Sequence, residues 1–116
     1  VKKEQLINLT PHKITLLDND HQRMFTLQPT QTVRVNEEVS LAGTITYENN
    51  SVPILATKYG LIDLPDIDQN CIYIVSRIVK NAIAEHYPFL NKLFVVPGGI
   101  VRSKEGEIVG CTNLSY

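Results

Sequence analysis

Only one stretch of this chain carries helical spacing. Between Arg77 and His86, the residues Ile78, Val79, Ala82 and Ile83 fall on one face at the 3.6-residue period. Ser76 stands at the N-cap position, and Pro88 closes the segment. The rest of the apolar sequence comes in short runs broken by turn residues, and such runs build strands. Leu6–Thr10 and Lys13–Leu17 read as strands on either side of Pro11, and Gln22–Leu27 returns from the turn Asp18-Asn19-Asp20-His21. Thr32–Val35 is a further short strand. Thr44–Tyr47 and Val52–Thr57 read as a hairpin across Glu48-Asn49-Asn50-Ser51, and Gly60–Asn70, with Pro65 and three aspartates, reads as a loop. Ile72–Val75 feeds the helix, Leu93–Val96 follows it, and Ile100–Arg102 with Glu107–Cys111 flank the turn Ser103-Lys104-Glu105-Gly106. The expected class is α+β: a small, mostly antiparallel sheet with one main helix packed on it.

At 116 residues the chain fits a single domain, 1–116, with a modest core. Its net charge of −1 offers no basic field for DNA or RNA. A small anion needs only a local positive cluster, so a nucleotide ligand stays open. No apolar run approaches the roughly 18 residues of a membrane span. The opening Val1-Lys2-Lys3-Glu4-Gln5 is charged and leads into no signal-type apolar segment. Cys71 and Cys111 are expected as reduced thiols rather than a disulfide.

The chemistry-bearing residues favour binding over catalysis. His12, His21 and His86 are too scattered for a metal motif, and no Cys-x-x-Cys occurs. The run from Asp18 fails as a calcium loop, because Arg23 stands where a glycine is needed and Pro29 where a glutamate is needed. There is no Walker loop, no Gly-x-Ser-x-Gly and no dinucleotide fingerprint, so no cofactor is expected. Cys111 has no sequence neighbour that would activate it and reads as a small buried residue. Arg77 and Arg102 each end an apolar run, where a stiff scaffold can aim a guanidinium at an anion. Asn81 lies one helical turn beyond Arg77. An ordinary solvated helix face explains that pair equally well. Tyr59, Tyr73, Phe89 and Phe94 are aromatics that can stack a base or fill a core, and Asn91 is an amide near Phe89.

Ile7-Asn8-Leu9-Thr10-Pro11-His12, Tyr59-Gly60, Ile72–Ser76, Val96-Pro97-Gly98, Val101-Arg102 and Gly106…Gly110-Cys111 together span almost the whole chain. In this order they resemble the pattern of Thoeris anti-defence proteins, the phage and prophage "sponges" for nucleotide signals. The resemblance implies a homo-oligomer in the cytoplasm of an infected bacterium. Such a protein binds a cyclic ADP-ribose isomer without cleaving it, and some members also hold cyclic oligonucleotides. A hydrophobic fraction of 43% leaves apolar surface for subunit contacts. The resemblance assigns ligand recognition to Asn8, Thr10, His12, Arg77 and Arg102, while Asn81, Phe89 and Asn91 are candidates from their chemistry alone. The arginines would hold the pyrophosphate, an aromatic the adenine, and amides or hydroxyls the ribose. Two alternatives remain open: a hydrolase for the same class of signal, and a protein–protein module that blocks a defence enzyme directly.

Overall fold

The computed structural model describes residues 5–116, with the side chains of residues 61 and 62 left aside; the charged opening at 1–4 lies outside the described residues. The strands are β1 (Gln5–Asn8), β2 (Ile14–Leu17), β3 (Arg23–Leu27), β4 (Val35–Tyr47), β5 (Asn50–Ile62), β6 (Cys71–Ile74), β7 (Phe94–Arg102) and β8 (Ile108–Ser115). One α-helix, α1 (Arg77–His86), and a 3-10 turn at Pro88–Leu93 complete the elements among the described residues.

The mostly antiparallel sheet with a main helix does not form. The protein is 53% strand with one short helix, and its six-stranded sheet is mixed and nearly closed like a barrel. The strand order is β1-β6-β7-β8-β2-β3. β1 pairs parallel with β6, β6 parallel with β7, and β8 parallel with β2, whereas β7/β8 and β2/β3 are antiparallel. Hairpin turns between sequence neighbours suggest antiparallel pairing, but they do not decide how hairpins join. Here α1 and the 3-10 turn form a crossover from β6 to β7, and a crossover makes parallel neighbours.

The parallel strands β6 and β7 are buried on both faces, which accounts for their unbroken apolar sequences. Tyr73, Val75, Phe94 and Val96 face α1 and pack with Val79, Ala82 and Ile83. Ile74 and Val95 face the other way, into a second cluster with Ile14, Leu16 and Cys111. Tyr73 and Phe94 stack with centroids 5.4 Å apart. At the junction of β8 and β2, Leu16 pairs with Cys111. Gly110 permits this approach, because a Cβ there would meet the Thr15 carbonyl at 2.7 Å.

The two outer strands draw together at Asn8. Its Nδ2 donates to Leu27 O at 3.1 Å, and its backbone O accepts from Thr30 N at 2.9 Å. Val33 N donates to Leu9 O at 3.2 Å alongside. Thr32–Arg34 is therefore a bonded connector rather than the strand expected at Thr32–Val35.

Local readings hold well. Ser76 caps α1, its Oγ accepting from Val79 N at 3.4 Å, and the helix spans Arg77–His86 as its spacing predicts. Asp18 Oδ1 accepts from Asp20 N and Gln22 N, which shapes the β2–β3 turn. Leu93–Val96 and Ile100–Arg102 are joined in one strand that runs through Pro97-Gly98-Gly99, with Gly99 at φ 59°.

The middle hairpin is far longer than its sequence suggests. β4 and β5 each run for 13 residues, roughly 40 Å, and β5 takes in Gly60–Ile62, the start of the expected loop. Glu48 and Asn49, at φ 48° and 64°, make the two-residue turn between the paired residues Tyr47 and Asn50. These two strands form a separate sheet that stands off the body. The molecule measures 61 × 39 × 19 Å, and its radius of gyration, 17.9 Å, exceeds the ~13 Å of a compact chain this long.

Candidate functional site

Asn8 organises the bend that follows β1. Its Nδ2 donates to His12 O at 2.8 Å as well as to Leu27 O, and its Oδ1 accepts from Thr10 N at 2.9 Å. Thr10 Oγ1 lies 2.6 Å from Asn8 Oδ1 and 2.9 Å from His12 O. Asn8 is 1% exposed, and its amide is engaged at both ends. Its work is to hold the Thr10–His12 bend in one shape.

That bend borders a cleft of about 390 Å³, within the usual range for small-ligand sites. Thr10, His12, Lys13 and Thr15 line it from the β1–β2 side, and Val75 and Ser76 from the end of β6. Pro97 and Ile100 of β7, with Ile108–Cys111 of β8, complete the wall. The cleft thus lies beyond the carboxyl ends of the parallel strands β1 and β6, a place where open α/β sheets also bind ligands. It joins residues of four stretches that the sequence singles out: Ile7–His12, Ile72–Ser76, Val96-Pro97-Gly98 and Gly110-Cys111.

The chemistry of the cleft is divided. Val75, Pro97, Ile100, Val109 and Cys111 make an apolar surface. His12 and Lys13 bring exposed cationic or donor groups, and Thr10, Thr15 and Ser76 bring hydroxyls. Ser76 is also the N-cap of α1, so the positive end of the helix dipole borders the cleft. Burial pushes the Cys111 thiol pKa up, which keeps it protonated and unlike an activated nucleophile. Among the described residues, no group of three or more His, Cys, Asp or Glu side chains is placed to hold a metal ion.

Of the eight residues expected to bind ligand, Thr10 and His12 line the cleft, and Asn8 supports them from behind. The other five lie elsewhere. Arg102 Nη1 donates to Gly106 O at 3.0 Å, bracing the β7–β8 turn. Arg77 Nη1 approaches Tyr116 O at 3.4 Å. Asn81 is exposed on α1, and Phe89, on the 3-10 turn, is 74% exposed. Asn91 is half-buried with its Oδ1 unpaired, while its backbone O accepts from Lys80 Nζ at 2.7 Å. No aromatic side chain lines the cleft, so its flat apolar contacts come from proline and branched residues.

Lys13, Thr15, Ser76, Ile100 and Val109 are among the lining residues that sequence reasoning did not assign to the site. A signal for two of them existed. Lys13 and Thr15, just after His12, stand at an i, i+2 spacing, which places both on one side of an extended chain.

A second, shallower cleft of about 320 Å³ lies on the other side of the bend, lined by Pro11, Thr32–Val35, Glu37, Ser76, Ile78 and Val79. Lys80 is a buried cation near the chain's end. Its Nζ donates to Asn91 O and Phe94 O, both at 2.7 Å, and sits 5.1 Å from the Tyr116 ring centroid. Burial, and then the nearby Arg77, lowers its pKa.

Comparison with family models, with curated proteins and with solved structures finds no match.

Proposed function

We propose that this chain binds a small phosphate-bearing nucleotide of the cyclic ADP-ribose type and withholds it from its effector without cleaving it. The observation that carries this reading is the divided cleft. Its apolar wall suits a base, and the margin formed by His12, Lys13 and the N-terminal end of α1 suits a pyrophosphate. Thr10, Thr15 and Ser76 supply hydroxyls for a ribose. The resemblance of the Asn8–His12 and Gly110-Cys111 stretches to nucleotide-signal sponges supports the same ligand class.

In this reading the anion contacts come from His12 and Lys13 in place of Arg77 and Arg102. Asn8 acts as a positioning residue, because it holds the bend that presents His12. Sequestration then works by mass action. Free ligand falls below the effector's threshold when the dissociation constant is small and the binder abundant, and no turnover is required.

The test is to incubate the protein with cyclic ADP-ribose isomers, remove it by heat, and analyse the supernatant before and after heating. Depletion followed by return of intact ligand is the expected result. Altered ligand in excess of protein would replace this reading with a hydrolase, and no depletion would leave a protein–protein module.

A further inference from the structure

The β4–β5 arm carries apolar side chains that none of the described residues covers. Val39, Leu41, Ile45, Val52, Ile54 and Leu55 are each between 46% and 64% exposed, and Tyr47 at the tip is 70% exposed. An isolated two-stranded ribbon is marginally stable in water, and an uncovered one with this sequence is prone to associate.

The register shows how these residues are distributed. Leu41 pairs with Leu55, but Gly43 pairs with Ile54, so Ala42 is an extra residue in β4. Leu55 and Ile54 are sequence neighbours on β5 and point to opposite faces. On the half near the body, Val39, Leu41 and Leu55 share one face, and the opposite face carries Glu38, Ser40, Ala56 and Lys58. On the half near the tip, Ile45, Val52 and Ile54 lie on the other face, backed by Thr44, Thr46, Ser51 and Pro53. The bulge thus moves the apolar surface from one side of the ribbon to the other.

We infer that the arm is an interface with a second copy of this chain, formed by two arms crossing in a mutual clasp at the Ala42 bulge. A single flat partner surface covers only one face of a ribbon and leaves half of this apolar surface wet. A second arm, running antiparallel and crossing at the bulge, covers both halves. Its tip half lies on the first arm's body-side patch, and its body-side half lies under the first arm's tip patch. This is the self-complementary relation of a two-fold interface, in which i meets j and j meets i. Two-stranded ribbons twist strongly, which favours such coiling. The seven side chains leave on the order of 700 Å² exposed, close to the ~800 Å² per partner that a stable interface removes. The paired runs that carry both patches, residues 39–47 and 50–57, contain no charged side chain; Glu37, Glu38 and Lys58 lie beyond them toward the body, and Glu48 lies in the turn.

The clasp needs no ligand, so it can stand or fall independently of the nucleotide reading. With the bulge at the crossing, Val39 lies as far on the body side as Ile45 lies on the tip side, and these two positions meet across the axis. The experiment uses the full chain and two variants, Val39→Cys and Ile45→Cys, under mild oxidation. Cys71 and Cys111 are buried and stay out of the reaction. Sedimentation velocity of the parent at micromolar concentration is expected to show a dimer or a larger species. Equal mixtures of the two variants are expected to give a disulfide-linked pair on a non-reducing gel, at a yield several-fold above either variant alone. A parent that sediments as a 13.1 kDa monomer would overturn the clasp. So would cross-linking by Val39→Cys alone as efficiently as by the mixture, because that places like patches together. Thermal melts matching the parent's confirm that the variants are folded, and the sedimentation result does not depend on them.

Discussion

β6 and β7 on one side, and β4 and β5 on the other, are built from the same kinds of residue and end in opposite environments. Ile74, Val75 and Phe94 are fully buried between α1 and the barrel interior. Ile45, Val52 and Ile54 have comparable side chains and stand half in water. The difference teaches that strand-forming composition sets local conformation, while burial depends on what lies above and below the strand. β6 and β7 have a helix on one face and β2, β3 and β8 on the other. The arm has neither, and only its root touches the body, where Val35 packs on the core and the His86 ring nitrogen lies 3.4 Å from Tyr59 O.

The largest effect that can break this comparison comes from truncating matched side chains. Phe94→Ala is expected to lose about 3–5 kcal/mol, because it removes a ring packed between Tyr73 and α1. Ile54→Ala is expected to change the stability of the body by less than ~0.5 kcal/mol, as an exposed substitution does. Thermal or urea unfolding, followed by a body-specific probe such as the Tyr73 signal, separates the two. Equal losses would mean that the arm is part of the same packed core.

Asn8→Ala is expected to cost about 1–3 kcal/mol, since it leaves Leu27 O and His12 O without their side-chain donor and Thr10 N without its acceptor. Urea titration measures the loss. Because the same amide shapes the bend at His12, ligand binding is expected to weaken along with stability. Stability lost with affinity intact would place the ligand away from this bend.

Within the body, Lys13→Ala and His12→Ala are each expected to weaken binding of a cyclic ADP-ribose isomer by about tenfold, through loss of a charge-assisted hydrogen bond. Arg102→Ala and Arg77→Ala are the controls, because neither residue lines the cleft. Calorimetric titration of the four variants decides between them. Weakening confined to the arginine variants would return the site to the strand ends favoured by sequence.

The smallest effect is a pH dependence that belongs to the body. Burial raises the Cys111 thiol pKa above its ordinary 9.0. Above that pH the unfolded chain releases the proton while the folded chain keeps it. The contribution of Cys111 to stability is therefore fully present below about pH 9 and is lost as pH rises through the folded value. Stability from denaturant melts between about pH 8 and pH 10 is expected to fall less steeply for Cys111→Ala than for the parent.

Several elements were legible because their causes lie within a few residues. The spacing of Val79, Ala82 and Ile83, with the Ser76 hydroxyl, defines α1. Asp18 defines the β2–β3 turn by its own hydrogen bonds. The site was legible in part. Thr10 and His12 belong to a motif visible in one dimension, whereas Lys13 and Thr15 become lining residues only once β2 has a neighbour. Arg77 and Arg102 were drawn into the expected site because strand ends suggest aimed side chains. The fold turns both toward nearby carbonyl groups instead, at Tyr116 and Gly106.

The sequence by itself determined where the chain bends, where it coils into α1 and which runs are extended, because periodicity, caps and turn residues act over short range. Only the tertiary structure decided which strands became neighbours. Gln5 pairs with Cys71 and Leu16 with Cys111 across long loops, and no local pattern encodes such partners. The unbroken apolar runs Ile72–Val75 and Leu93–Val96 were the one hint of parallel strands buried on both faces. The same long-range pairing brought the Thr10–His12 bend beside Val75, Pro97 and Cys111 and so created the cleft. It also left the β4–β5 arm as a separate two-stranded sheet outside the six-stranded one.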